Sequence, residues 1–175
     1  MMYFRLLTLA FFFNRTIALM LLPGFGLLAV ITLPVSWYFW RTDIPNEGIK
    51  ESYPYQHKNP LELKTALIFG LLFAFFGVLT QIVIRDYGNF GVNLLSLIVG
   101  VTDIDPYILN LFQHSNIMIS PEHIVRATMF ATISNNFIKM VYAACLGTGL
   151  MRRKVIAGFS ILISLSLVIA FCFYK

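Results

Sequence analysis

Charge is what this sequence has least of. Asp, Glu, Lys and Arg make up 12% of its 175 residues, where a soluble domain carries about 25%. With 58% hydrophobic residues and a mean hydropathy of +0.78, the chain has too little polar surface to wet a globule. Cysteine is nearly absent as well. Cys145 and Cys172 stand alone in apolar runs with no C-x-x-C spacing, so they read as small buried side chains and not as a disulfide framework or a thiolate site. No basic cluster exceeds Arg152-Arg153-Lys154, so the net charge of +5 points to lipid headgroups and topology and away from nucleic acid.

Catalytic signatures are missing too. There is no H-E-x-x-H and no Gly-rich phosphate loop. Ser115 and Ser120 lie near His114 and His123, but in a short connecting segment with no third group to complete a triad. An intramembrane aspartyl protease needs two carboxylates from separate helices, and here Asp103 and Asp105 share one turn. The expectation is a protein that is not an enzyme and carries no resident cofactor. The first apolar run lacks a small-residue cleavage site and is followed by others, so it does not read as a removable signal.

What the chain does have is a series of apolar runs, some of them roughly 20 residues long, the length that crosses about 30 Å of hydrocarbon. Met1 to Phe13 is apolar apart from Arg5 and short for a complete span; it begins inside hydrophobic material, as a helix cut part-way would. Asn14-Arg15 makes a turn. Thr16 to Trp40 carries no charge and holds Pro23 and Pro34, and Trp37, Tyr38, Trp40 and Arg41 form an interfacial anchor at its end. Residues 41–60 form a polar surface loop containing three prolines and a solvated His57. Asn59-Pro60 is a helix-start signal for the third span, Thr65 to Ile84, which ends at Arg85-Asp86-Tyr87-Gly88.

The fourth run, starting at Phe90, breaks at Gly100-Val-Thr-Asp-Ile-Asp105 and restarts after Pro106 as far as Phe112. Two geometries satisfy it: one crossing helix that is discontinuous, or a second half that turns back as a re-entrant segment. Both require an internal polar site, because irregular backbone at membrane depth persists only when buried in protein or lining water. Ser120-Pro121-Glu122 caps the fifth span, about Ile124 to Leu150, with Arg126 at its entry. On it Thr128, Thr132, Asn135 and Lys139 fall on one helical stripe, with Asn136 beside it. The sixth span is Val155 to Tyr174. The predicted fold is a single all-α polytopic membrane domain over residues 1–175, with five to six transmembrane helices. The cluster at 152–154 favours a cytoplasmic location for its loop.

An internal repeat is also predicted. At an offset of 134, residues 1–41 align with 135–175; Arg5 meets Lys139, Gly24-Phe25 meets Gly158-Phe159 and Arg41 meets Lys175. Identity is 6 of 41, so the argument rests on the two basic positions and the Gly-Phe pair. Paired broken helices in repeated halves are typical of transporters.

The candidate site is therefore Thr102, Asp103, Asp105, Thr132, Asn135, Asn136 and Lys139. An ionisable group at membrane depth costs roughly 2.5–3.5 kcal/mol on insertion scales and is seldom retained without a use. Asp103 and Asp105 are candidate ligands for Mg²⁺ or Na⁺, or a proton relay; the alternative is that Lys139 pairs with one of them and locks two helices together.

The stretches Met2-Tyr-Phe-Arg5, Asn59-Pro-Leu-Glu-Leu-Lys64, Gly100-Val-Thr-Asp-Ile-Asp105 and Ser134-Asn-Asn-Phe-Ile-Lys139 resemble an uncharacterised C-terminal membrane domain that follows an MgtC/SapB-type domain in bacterial inner-membrane proteins. Pro106 stands where that family has Ala, and the chain begins where the family domain is already under way. The resemblance implies a multi-pass protein of the bacterial inner membrane, non-enzymatic, with a role in transport or its regulation. It also implies either a missing N-terminal half or assembly as a homo-oligomer within the bilayer. An MgtC-like regulatory or assembly subunit is the second functional expectation.

Overall fold

The computed structural model describes residues 2–41, 63–113, 119–147 and 149–173, and all of their regular structure is helical. The elements are α1 (Met2–Phe13), α2 (Arg15–Arg41), α3 (Leu63–Val99), α4 (Ile104–Gln113), α5 (Pro121–Leu146) and α6 (Gly149–Phe173). The expected 41–60 loop beyond Arg41, the Asn59-Pro60 start signal, His57, His114 and the Tyr174 end of the sixth span lie outside the described residues.

Three hairpins build the bundle. The first turns on Asn14. Its Oδ1 accepts from the backbone N–H of Thr16 (3.0 Å) and Ile17 (3.2 Å), so it caps the otherwise orphaned donors of α2. Tyr3 and Phe25, each eleven positions from Asn14, meet with ring centroids 5.5 Å apart, which requires α1 and α2 to run antiparallel. The last hairpin joins α5 to α6, with Phe130 against Phe171 at 6.4 Å. Gly147, at its turn, donates back to the Ala143 carbonyl.

The middle hairpin settles the question of the broken fourth run. Helix α3 departs from helical geometry at Gly88 (φ 58, ψ −147), which divides it into limbs 63–87 and 89–99. That backbone is open to glycine and costs any other residue of order 1–3 kcal/mol. The second limb and α4 then fold back on each other. The Tyr107 hydroxyl lies 2.8 Å from Ser96 Oγ and donates to the Val92 carbonyl at 3.2 Å. In one continuous helix residues 92 and 107 would be about 22 Å apart. Tyr107, wholly buried, also meets Phe76 of the first limb edge-on at 5.9 Å. The segment is thus a helical hairpin. Each arm is about 15 Å long, half the thickness of a hydrocarbon core.

Three helices hold apolar stretches long enough to cross a membrane: 15–34 in α2, 66–99 in α3, of which the part before the break at Gly88 is itself long enough, and 152–172 in α6. Their outward faces carry large exposed apolar residues such as Leu33, Leu71, Phe75, Val78 and Val168, the surface that lipid contact demands. Cys145 and Cys172 are exposed as well, a correction to the expectation of buried thiols. An apolar run in a membrane bundle has an outside as well as an inside, and hydropathy does not tell them apart.

Helix α5 is the core of the bundle. Ten of its residues between Ile124 and Asn136 are buried. It is missing from the helices apolar enough to cross because polar groups interrupt it: Thr128, Thr132, Asn135 and Asn136, all buried, and the exposed Lys139.

The boundaries bear on the repeat. At the offset of 134, Asn14 falls between the end of α5 at Leu146 and the start of α6 at Gly149, and the first residue of α2, Arg15, falls on the first residue of α6. The turn positions therefore coincide with the alignment that the two basic residues suggested.

Candidate functional site

The site forms where the hairpin tip reaches the middle of α5. After Ser96, the helical ladder of α3 tightens: Val101 and Thr102 donate to the carbonyls three residues back, Ile98 and Val99. This skips the carbonyl of Leu97, which accepts instead from the hydroxyl of Ser134 on α5. Gly100 is what permits the approach. A Cβ there would meet the Ser134 side chain and come within 2.8 Å of the Asn135 backbone nitrogen. Asn135 lies fourteen residues from Pro121 and eleven from Leu146, about 21 and 17 Å along the helix. The tip is halfway along α5.

The two carboxylates of the tip do different things. Asp103 is exposed and its Oδ1 accepts from the backbone N–H of Asp105 (3.3 Å), capping α4. Asp105, in the first turn of α4, is mostly buried and forms an ion pair with Arg5 of α1, Nη2 to Oδ1 2.7 Å. Among the described residues no group of three or more His, Cys, Asp or Glu is placed to hold a metal ion.

Lys139 is not the ion-pair partner of either Asp. Its Nζ lies 3.5 Å from Met2 Sδ, although its charge adds a favourable field at Asp105 together with that of Arg5. Arg5 is the residue at the tip that sequence reading left out of the candidate site. The available signals were that it is the only charge in α1 and that the repeat alignment set it on Lys139; Arg5 pairs with Asp105, and Lys139 acts on the same carboxylate only through its field.

The remaining predicted residues divide between local and long-range roles. Thr128 and Thr132 donate to the carbonyls four residues back, Ile124 and Thr128, and so are satisfied within α5. Thr102, exposed, donates to Val99. The two asparagines reach α1: Asn136 Nδ2 donates to the Tyr3 hydroxyl (3.0 Å) and Asn135 Nδ2 points at Met2 Sδ (2.8 Å). The structure thus brings Asp105, Asn135, Asn136 and Lys139 together with Met2, Tyr3 and Arg5. It leaves Thr132 in the helix interior and Thr102 and Asp103 at the open rim.

These features define a class: an all-helical protein with membrane-length apolar helices, a helix broken halfway through the bundle, and charged groups gathered at the break. The family follows from comparison. Residues 1–147 match the family described as Domain of unknown function (DUF4010), and the chain belongs to that family. It is also similar to an uncharacterized protein of Aquifex aeolicus (strain VF5), 27% identical over 158 residues, which cover 89% of this chain and 66% of that protein. The chain therefore spans just under two thirds of that relative's length. No solved structure matches it.

Proposed function

We propose that this chain forms the core of a membrane transport protein for an ion or small solute, with its site at the tip of the hairpin. The observation that carries the reading is the Arg5–Asp105 pair at a helix break halfway along α5, with Asn135 and Lys139 on the facing helix. Two half-length arms ending at mid-depth expose backbone groups and charge that lipid cannot satisfy, so the tip faces protein or water. Transporters use discontinuous helices in this way, offering unwound backbone and side chains to a solute at the midplane. The hairpin is then a re-entrant segment, and the coincidence of turns at offset 134 supports a repeat-built fold; the same reading takes the bacterial inner membrane as its location and a further segment or a second copy as its complement.

The test is flux into proteoliposomes of wild-type protein beside Asp105→Asn and Lys139→Met. Both variants should lose flux while keeping their helical content by circular dichroism. Flux that is absent from wild type, or unchanged in both variants, refutes the proposal. The second reading is a regulatory or assembly subunit of a membrane complex, in which Arg5–Asp105 only locks α1 to α4; the good geometry of that pair favours it. It predicts a stable wild-type protein with no flux, whose pair variants are destabilised.

A further inference from the structure

Two nitrogen donors on one face of α5 converge on a single atom that accepts poorly. Asn135 Nδ2 and Lys139 Nζ, one helical turn apart, both point at the thioether of Met2, at 2.8 and 3.5 Å. A thioether is a weak acceptor, and the ammonium group resting on it feels the Asp105 charge without pairing directly with it. Among the described residues Lys139 makes no salt bridge. Three residues further along α1, Arg5 commits one nitrogen to Asp105 and keeps 55% of its side chain exposed, leaving further N–H groups of its fork unused. The donors on this side of the tip outnumber the strong acceptors.

The carboxylates do not redress the balance. One Asp105 oxygen is held by Arg5, and one Asp103 oxygen accepts from the backbone of α4. A metal cation entering here would have to displace the Arg5 guanidinium and tolerate Lys139 nearby. An anion needs the Met2 side chain to swing aside and has to sit against the Asp103 and Asp105 charges, which Arg5 and Lys139 offset.

We propose that Lys139, Asn135 and Arg5 form a binding site for a small anion of the carboxylate class, with Met2 Sδ holding the place of one of its oxygens. This deepens the transport reading, rests on the same site, and names the sign of the solute's charge. Substitution at Asp103 separates the alternatives, because removing that negative charge helps an anion and harms a cation. Asn at this position keeps the cap.

The experiment is thermal unfolding of the full purified chain in detergent, titrated with sodium acetate against sodium HEPES at equal ionic strength, and with magnesium chloride against choline chloride. Acetate should raise the midpoint of wild type. The half-effect concentration should rise roughly tenfold or more in Lys139→Met, as expected for loss of one charge-assisted hydrogen bond. The effect should vanish in Asn135→Asp and strengthen in Asp103→Asn. Lys139 and Asp103 are exposed, so neither substitution removes core packing. The proposal is overturned if acetate leaves wild type unmoved, if its half-effect concentration is unchanged in Lys139→Met, or if magnesium stabilises and Asp103→Asn abolishes that. Flux separates the two readings. Acetate binding without any flux sinks transport and keeps the anion site, whereas flux carrying positive charge and lost in Asp103→Asn does the reverse.

Discussion

Gly100→Ala is the sharpest probe of how the hairpin tip meets α5. The new Cβ would press on the Ser134 side chain and come within 2.8 Å of the Asn135 backbone nitrogen. Neither neighbour is the free end of a flexible chain, so the helices have to part or the tip has to tilt. Overpacking of this kind costs about 1–3 kcal/mol. It also draws Ser134 away from the Leu97 carbonyl, which then stays unpaired at a further cost of about 1 kcal/mol. A loss of that size lowers the midpoint of a chain of this length by roughly 2–4 °C per kcal/mol.

The decisive measurement is a double-mutant cycle with Ser134→Gly. That change removes the Cβ and hydroxyl that the alanine would strike. Alone it costs about half a kcal/mol in helix propensity plus the lost hydrogen bond. If the contact is as described, the double variant is more stable than the sum of the singles by about 1 kcal/mol, as neighbours that share a clash should be. Thermal unfolding in detergent followed by circular dichroism reads it. Strict additivity, or a Gly100→Ala as stable as wild type, refutes the packing of the tip on α5 and with it the mid-depth site.

Three further outcomes test the surrounding geometry. Arg5→Met and Asp105→Asn should each destabilise the protein by about 1 kcal/mol, the upper end for a pair with one partner exposed, and the swap Arg5→Asp/Asp105→Arg should recover part of the loss in thermal unfolding; no recovery argues against the pair. Tyr107→Phe should cost about 1 kcal/mol and Tyr107→Ala about 3–5 kcal/mol in chemical unfolding, since the ring is wholly buried between the two limbs of α3; a mild Tyr107→Ala would mean that the arms do not fold back. At Gly88 both Ala and Asn should destabilise by about 1–3 kcal/mol, because Asn tolerates ordinary left-handed backbone but not ψ −147; an Asn variant with an unchanged melting point would refute that conformation.

Local chemistry was legible in the residues themselves. The turn at Asn14, the stop at Gly88, the break from Gly100 to Asp105 and the start at Ser120-Pro121 all appear where they were expected, although the Ser120 side chain makes no capping hydrogen bond and the start rests on Pro121. Each depends on groups within a few positions of one another: a capping side chain, a glycine, a ring without an N–H. The period of the polar stripe on α5 likewise told which face turns inward from Thr128 to Asn135, because 3.6 residues per turn leaves one choice, whereas Lys139, the last member of the stripe, is exposed.

What joins to what was decided only by the tertiary structure. The carboxylate of Asp105 had Lys139 as its nearest candidate on paper and found Arg5, a hundred positions away; Asn136 found Tyr3 across 133. A broken helix reads the same whether it continues or doubles back, and only the contact of Tyr107 with Ser96 and Val92 chose the hairpin. The sequence by itself determined an apolar, all-helical chain with its breaks and its inward polar face, since hydropathy and capping act over one or two turns. The identity of the partners at the site came from packing, because in an apolar medium each buried polar group takes whichever partner the crossing helices bring within reach.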